Sequence, residues 1–199
     1  MYKKINALIL TATIIYIIIF GIYFLNIGNL EFLWYVGILT LLTILMILLH
    51  KKFNFSSLVL AGSSLWGLLH MFGGSIYING TRLYSYVLLD IYNSNIPEMQ
   101  ILKYDQFMHL YTYFVVTFIL FYVIKDYLKK DDFVVYVLLV FMAMGVGAAN
   151  EIVEFIPVVF FGNTGVGGYY NTLLDIVFNT IGSIVALIYI KISDNNQRA

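Results

Sequence analysis

Long apolar runs alternate with short polar interruptions along the whole chain. After Met1-Tyr2-Lys3-Lys4 the sequence stays apolar to about Leu25, and five further runs of similar length follow. A helix needs about 20 predominantly apolar residues to cross the hydrocarbon core of a bilayer. On that measure six transmembrane helices are predicted, at 5–25, 30–49, 55–72, 104–124, 133–156 and 172–190. Continuous hydrophobicity over such lengths argues against membrane β-strands, which alternate with period two. The first run is too long for the apolar core of a signal peptide, and no small-residue cleavage pattern follows it, so it reads as a retained helix. No internal repeat or low-complexity linker interrupts the series. The expected fold is therefore all-α: an integral membrane bundle of six transmembrane helices forming a single membrane domain over 1–199.

The longest connection, 73–103, carries one local signal. In Ile76-Tyr77-Ile78-Asn79-Gly80-Thr81-Arg82-Leu83-Tyr84 the Asn-Gly pair sits between apolar flanks, which favours a hairpin with a type I′ turn. Asn79-Gly80-Thr81 also spells a glycosylation acceptor, a three-residue match of low specificity. Pro97 and Pro157 fall where segments are expected to end or begin.

Composition strengthens the membrane reading. The chain is 61% hydrophobic and only 11% charged, with mean hydropathy +0.89. Soluble domains lie nearer half apolar and a quarter charged, so lipid is the expected partner of most of this surface. Eleven basic and eleven acidic residues balance, which gives no reason to expect nucleic acid. The absence of cysteine excludes disulfides and thiolate metal sites.

Charge also predicts orientation, because Lys and Arg accumulate on the cytoplasmic side. With the N-terminus inside, the inner segments hold Lys3, Lys4, Lys51, Lys52, Lys125, Lys129, Lys130, Lys191 and Arg198. The outer segments hold only Arg82 and Lys103. Nine against two places both termini in the cytoplasm, puts the hairpin outside, and suits a multi-pass protein of the plasma membrane. His50, beside Lys51 and Lys52, reads as an interfacial residue with no special role, and Trp34 and Trp66 as packing residues.

The ionisable residues within the spans are the candidate chemistry. They are His70, Asp105, His109, Glu151, Glu154 and Asp175, with Asn150 and Asn179 beside them. A central acid costs about 2.5–3.5 kcal/mol on insertion scales, so intramembrane charge marks a functional candidate. All of them fall near the outer ends of four helices, in a layer of roughly 10–15 Å at 1.5 Å rise per residue. Helical spacing puts each on a stripe with small or hydroxyl residues. These stripes are Ser63, Gly67, His70 and Gly74; Asp105, His109 and Thr112; Gly147, Glu151 and Glu154; and Thr172, Asp175, Asn179 and Gly182. Small residues let helices approach closely, so the stripes are expected to face a shared polar cavity that opens outward.

Two imidazoles and four carboxylates suit a divalent metal such as Zn, Mn or Fe. A cation would also offset the mutual repulsion of the acids. The spacing is compatible with metal but not diagnostic, since Glu151-x-x-Glu154 and Asp105-x-x-x-His109 replace the Glu-x-x-His of di-metal bundles. Taken singly, His109 could pair with Asp105, Asn179 could bridge helices, and Glu154 could reach water. The loop Phe161-Gly162-Asn163-Thr164-Gly165-Val166-Gly167-Gly168-Tyr169-Tyr170 precedes helix six. Its glycines could offer backbone N–H groups to an anion, or simply connect two helices.

These residues carry a resemblance. Asp105-Gln106-Phe107-Met108-His109 resembles the Asp-Lys/Arg-x-x-His motif of VanZ-like membrane proteins and the related YjdF-type family. Asn150-Glu151-Ile152-Val153-Glu154 is similar to the Asn-Glu-x-x-Glu of the YjdF type. Asp175 to Gly182 resembles its Asp-x-x-x-Asn-x-x-Gly ending, and His70-Met71-Phe72-Gly73-Gly74 its His-x-x-Gly-Gly stretch. The motifs run in the family order from about Ser63 to Ala186, and Gln106 stands where a basic residue is usual. The resemblance implies a small polytopic protein linked to glycopeptide resistance or the cell envelope, and brings no established reaction.

Three functions are open at this point. One is a metal-dependent hydrolase or transferase acting on a lipid-linked or envelope substrate. In it Asp105, His109, Glu151 and Asp175 are ligands, Glu154 or His70 is the general base, and Asn150 and Asn179 support them. Another is a non-enzymatic binder or proton-coupled carrier. The third is a structural polar network.

Overall fold

A computed structural model describes residues 2–89, 99–125, 133–162, 164–165 and 167–196. Pro97, Lys129, Lys130, Arg198, Asn163 and Val166, all used above, lie outside the described residues. The helices are α1 (Tyr2–Asn26), α2 (Leu30–Phe53), α3 (Ser57–Ser75), α4 (Tyr104–Ile124), α5 (Phe133–Phe161) and α6 (Tyr169–Asn196). Among the described residues these six are long and apolar enough to cross a membrane. Each carries large apolar side chains outward, such as Ile19 on α1, Leu48 on α2, Phe141 on α5 and Ile188 on α6. Such continuous apolar exposure fits contact with lipid and not with water.

The chain divides into two compact units. One comprises Met1–Tyr84 and Phe155–Gly165. Here α1, α2 and α3 pack around Phe24, Phe32, Tyr35, Leu39 and Met71. The α1–α2 turn is short because Gly28 takes the left-handed conformation at φ 66°, and Asn29 caps α2 by accepting from the Phe32 N–H at 3.1 Å. The α2–α3 turn uses Asn54 at φ 51° and a Ser56 cap. β1 (Tyr77–Ile78) and β2 (Thr81–Arg82) then form the expected hairpin. Asn79 and Gly80 both have positive φ, 49° and 81°, as a type I′ turn requires.

The other unit comprises Ser85–Glu154 and Val166–Ala199. Its centre is the pairing of α4 with α6. A Cβ on Gly182 would collide with the carbonyl oxygen of Leu110, so glycine is what permits this backbone approach. The start of α4 is fixed locally. The Tyr104 N–H donates to the Tyr86 carbonyl at 2.9 Å, and Leu88 donates to Leu102 at 2.9 Å. Gln106, fully buried, accepts from the Leu102 and Lys103 N–H groups at 2.6 and 3.0 Å and donates to the Gln100 carbonyl at 3.1 Å. The residue that departs from the resembled motif is thus a helix cap.

Several boundaries differ from expectation. α5 does not end before Pro157 but continues to Phe161 with the proline buried inside it. A proline interrupts one i→i−4 bond, which a long, well-packed helix can absorb. α6 begins at Tyr169, three residues before the predicted start, and so gains Asn171. α2 runs on through Lys52 because Asn54, not a change in hydropathy, terminates it.

Candidate metal centre

Three helices of the second unit supply the site. α4 contributes Asp105 and His109 one turn apart. α5 contributes Asn150, Glu151 and Glu154. α6 contributes Asn171, Asp175 and Asn179 at successive i, i+4 positions, which share a face. The close α4–α6 crossing at Gly182 brings their stripes together. Gly147 lets α5 approach likewise, since a Cβ there would lie 2.9 Å from the Asn179 amide nitrogen.

His109 is the hub, with its side chain only 6% exposed. Nδ1 lies 3.0 Å from Asn179 Oδ1. That oxygen can only accept, so Nδ1 donates to it, and Nε2 is turned toward the carboxylates on the other side of the ring. Around Nε2 stand Asp105 Oδ1 at 3.5 Å, Glu154 Oε1 at 3.8 Å and Asp175 Oδ2 at 3.9 Å. Glu151 Oε1 lies 3.8 Å from Nδ1. Four carboxylates from three helices therefore surround one imidazole.

Amides hold this arrangement. Asn171 Nδ2 donates to Asp105 Oδ2 at 2.8 Å and to Asp175 Oδ2 at 2.7 Å, tying α6 to α4. Asn150 Nδ2 donates to Glu154 Oε1 at 2.7 Å. Lys103 Nζ reaches Asn171 Oδ1 at 3.5 Å. Within this cluster, among the described residues, three buried atoms have no hydrogen-bond partner: Glu151 Oε1, Asp175 Oδ1 and Asn179 Nδ2. Buried polar atoms are rarely left so, and two of these are acceptors that a cation would satisfy.

Among the described residues two overlapping sets could hold a metal ion, Asp105/His109/Asp175 and His109/Glu151/Glu154, each with its ligand atoms within 4.8 Å of one another. Nitrogen and oxygen ligands at about 2.0–2.2 Å from Zn²⁺ stand roughly 3–3.5 Å apart. The separations at Nε2 are a few tenths of an ångström wider, a difference that side-chain rotation can close.

A family model described as "Predicted membrane protein (DUF2238)" matches residues 7–196. The chain belongs to that family. No curated protein and no solved structure matches it. The DUF2238 match spans all six helices, so the cluster lies within the part of the chain the family defines.

Of the residues expected to act, the second unit brings together Asp105, His109, Glu151, Glu154, Asp175, Asn150 and Asn179. His70 belongs to the first unit. There its Nδ1 is hydrogen-bonded to the Tyr84 hydroxyl, and Phe32, Tyr35, Trp66 and Tyr84 surround the ring. The α3 stripe also packs within that unit, with Gly74 against Phe32 and Gly67 against Tyr16 and Leu39.

Two polar residues escaped the sequence reading. Asn171 lies one residue before the predicted start of helix six, although its spacing from Asp175 and Asn179 puts it on the same helical face. Glu31, at the start of α2, was passed over. Its carboxylate accepts from Arg82 at 3.0 Å and from the Gly165 N–H at 3.0 Å. The loop before α6 does direct a backbone N–H at an anion, and that anion is a side chain of the protein itself. Burial alone would lower the Arg82 pKa. Hydrogen bonds to Tyr77 and Glu31, with the Glu31 charge, more than offset it and raise the pKa.

Proposed function

We propose that the second unit's cluster is a divalent-metal site, with Zn, Mn or Fe as the candidates, in a membrane hydrolase or transferase. One observation carries this reading: His109 Nε2 stands 3.5–3.9 Å from three carboxylate oxygens while buried acceptors on Glu151 and Asp175 have no hydrogen-bond partner. Asp105, His109 and Asp175 are ligands through Nε2 and the carboxylates beside it, and Glu151, whose Oε1 lies 3.8 Å from Nδ1, completes the set by turning toward the ion. Asn150, Asn171 and Asn179 hold them, as outer residues do in metal sites generally. The cation supplies Lewis acidity and neutralises the acids. Glu154 is the general base, taking a proton from the attacking water. His70 has no part in this reading, because its Nδ1 is engaged by Tyr84.

The lysine asymmetry supports the plasma membrane, cytoplasmic termini and a cluster near the outer surface. The chain would then work as a single membrane domain on a lipid-linked or envelope substrate, in keeping with its VanZ-like and YjdF-type motifs.

Metal analysis of the purified protein tests the reading. We expect about one equivalent of a divalent metal per chain, lost in Asp105→Ala/His109→Ala, and a rise in melting temperature when metal is restored. Metal-free protein with no such rise would sink the proposal. Substrate accumulation in vesicles that disappears in Glu151→Gln would instead identify a carrier. Full function of Asp175→Asn and Glu154→Gln would identify a structural network.

A further inference from the structure

The first unit contains a cavity of about 260 Å³ lined by α1, α2 and α3. Along α1 it extends from Asn6 to Tyr16, ten residues or about 15 Å of helix. That is roughly half the hydrocarbon thickness, the depth one leaflet occupies. Its middle is walled by Leu10, Leu42, Met46, Ile47 and Leu60. The polar groups along it are already paired. Thr13 bonds Ser64 at 2.6 Å, Tyr16 donates to the Ser64 carbonyl at 2.9 Å, and Ser57 donates to Asn6 at 2.7 Å. The interior therefore calls for an apolar occupant.

One end differs. His50 and Lys51 line the cavity there. Lys52 follows on α2, and Lys4 stands on the adjoining end of α1. The sequence of this unit contains one acidic residue, Glu31. Glu31 lies twenty residues from Lys51 on the same helix, about 30 Å away, and is paired with Arg82. The lysines thus have no carboxylate partner within their own unit. His50 adds an independent sign. Its Nε2 lies 3.4 Å from Asn6 Nδ2, an amide that can only donate, so Nδ1 of the neutral ring bears the proton. That Nδ1 is buried and has no hydrogen-bond partner. An unpartnered buried donor on a cavity wall is suited to an oxygen of an incoming ligand.

We propose that this cavity binds one acyl chain of an anionic phospholipid, with the phosphate held at the lysine end by Lys51 and Lys4 and an ester or phosphate oxygen accepting from His50. The apolar wall takes the chain, and the cations, which have no carboxylate partner in their own unit, select the charge of the headgroup. The site is separate from the carboxylate cluster and does not depend on the metal reading.

Native mass spectrometry of the full chain with phosphatidylglycerol and phosphatidylcholine at equal concentration tests this. We expect one phosphatidylglycerol to be retained in preference. Lys51→Gln should cut that retention about fivefold, since one lysine near an anionic lipid is worth about 1 kcal/mol. Ala7→Phe, which adds a ring at the cavity wall, should abolish it. Lys191→Gln, in the other unit, should leave it unchanged. Equal retention of both lipids overturns the proposal, as does an equal loss in Lys51→Gln and Lys191→Gln, which would mean general surface attraction. Lys51→Gln leaves the apolar wall intact, so it decides the matter even if Ala7→Phe does not fold.

Discussion

At the scale of single residues, Asn179 illustrates how a neutral amide governs a charged site. It makes no claim on a metal, yet its oxygen accepts from Nδ1 of His109 and so holds Nε2 toward the carboxylates. Removing such an outer partner commonly weakens metal binding about 10–100-fold. Asn179→Ala should therefore bind metal with lower affinity in a chelator competition while still filling at saturating metal. Unchanged affinity would mean that Nε2 is not a ligand. Glu31 and Arg82 invite a second test. Their side chains are 10% and 23% exposed, and the guanidinium also lies over the Phe32 ring at 5.4 Å. Glu31→Gln and Arg82→Met, combined in a double-mutant cycle of unfolding free energies, should show a coupling of about 0.5–3 kcal/mol. A coupling near zero would assign the stability to the ring contact alone. The sequence listed six ionisable residues in the spans but not this pair, because nothing local tells a carboxylate at a helix start that it will meet a hairpin fifty-one positions away.

Among elements, the α4–α6 crossing matters most for the site, since it sets Asp105 and His109 against Asp175 and Asn179. It depends on Gly182, where any side chain meets backbone, which cannot give way as a flexible side-chain end can. Gly182→Ala should destabilise the protein by about 1–3 kcal/mol, as overpacking does, and lower metal occupancy with it. A loss within about 0.5 kcal/mol, the range of ordinary surface changes, would show that the crossing has slack. The small-residue stripes were legible from spacing alone, and Gly67, Gly74, Gly147 and Gly182 do each sit where a helix neighbour comes close. Which neighbour was not legible, because periodicity reports the face of a helix and not the partner it meets. The end of α5 and both ends of α6 lie beyond the predicted bounds, whereas α5 starts at Phe133 as expected. Pro157 set the expected end of α5, yet the apolar Val158 to Phe161 continue the helix, and α6 runs on past its apolar stretch to Asn196 because a helix need not stop where hydropathy falls.

For the whole molecule, orientation can be tested cleanly because the chain has no cysteine. Thr81→Cys in the hairpin and Lys52→Cys at the end of α2 should react with an impermeant reagent from opposite faces of the membrane. Only Thr81→Cys should be labelled in intact cells; labelling of both, or of Lys52→Cys alone, would overturn cytoplasmic termini. The six helices and the membrane itself were determined by the sequence, since burying twenty consecutive apolar residues in lipid needs no tertiary information. The Asn79-Gly80 turn was determined in the same way, by the two positive φ angles a type I′ turn demands. The candidate ligands, too, could be named in advance, because each charge in a span is costly enough to stand out. Only the tertiary structure decided which of them meet. It gathered four carboxylates and one imidazole in one unit, added Asn171, and gave His70 an aromatic setting in the other. Such choices depend on side-chain contacts between helices distant in sequence, and a one-dimensional pattern of polarity does not contain them.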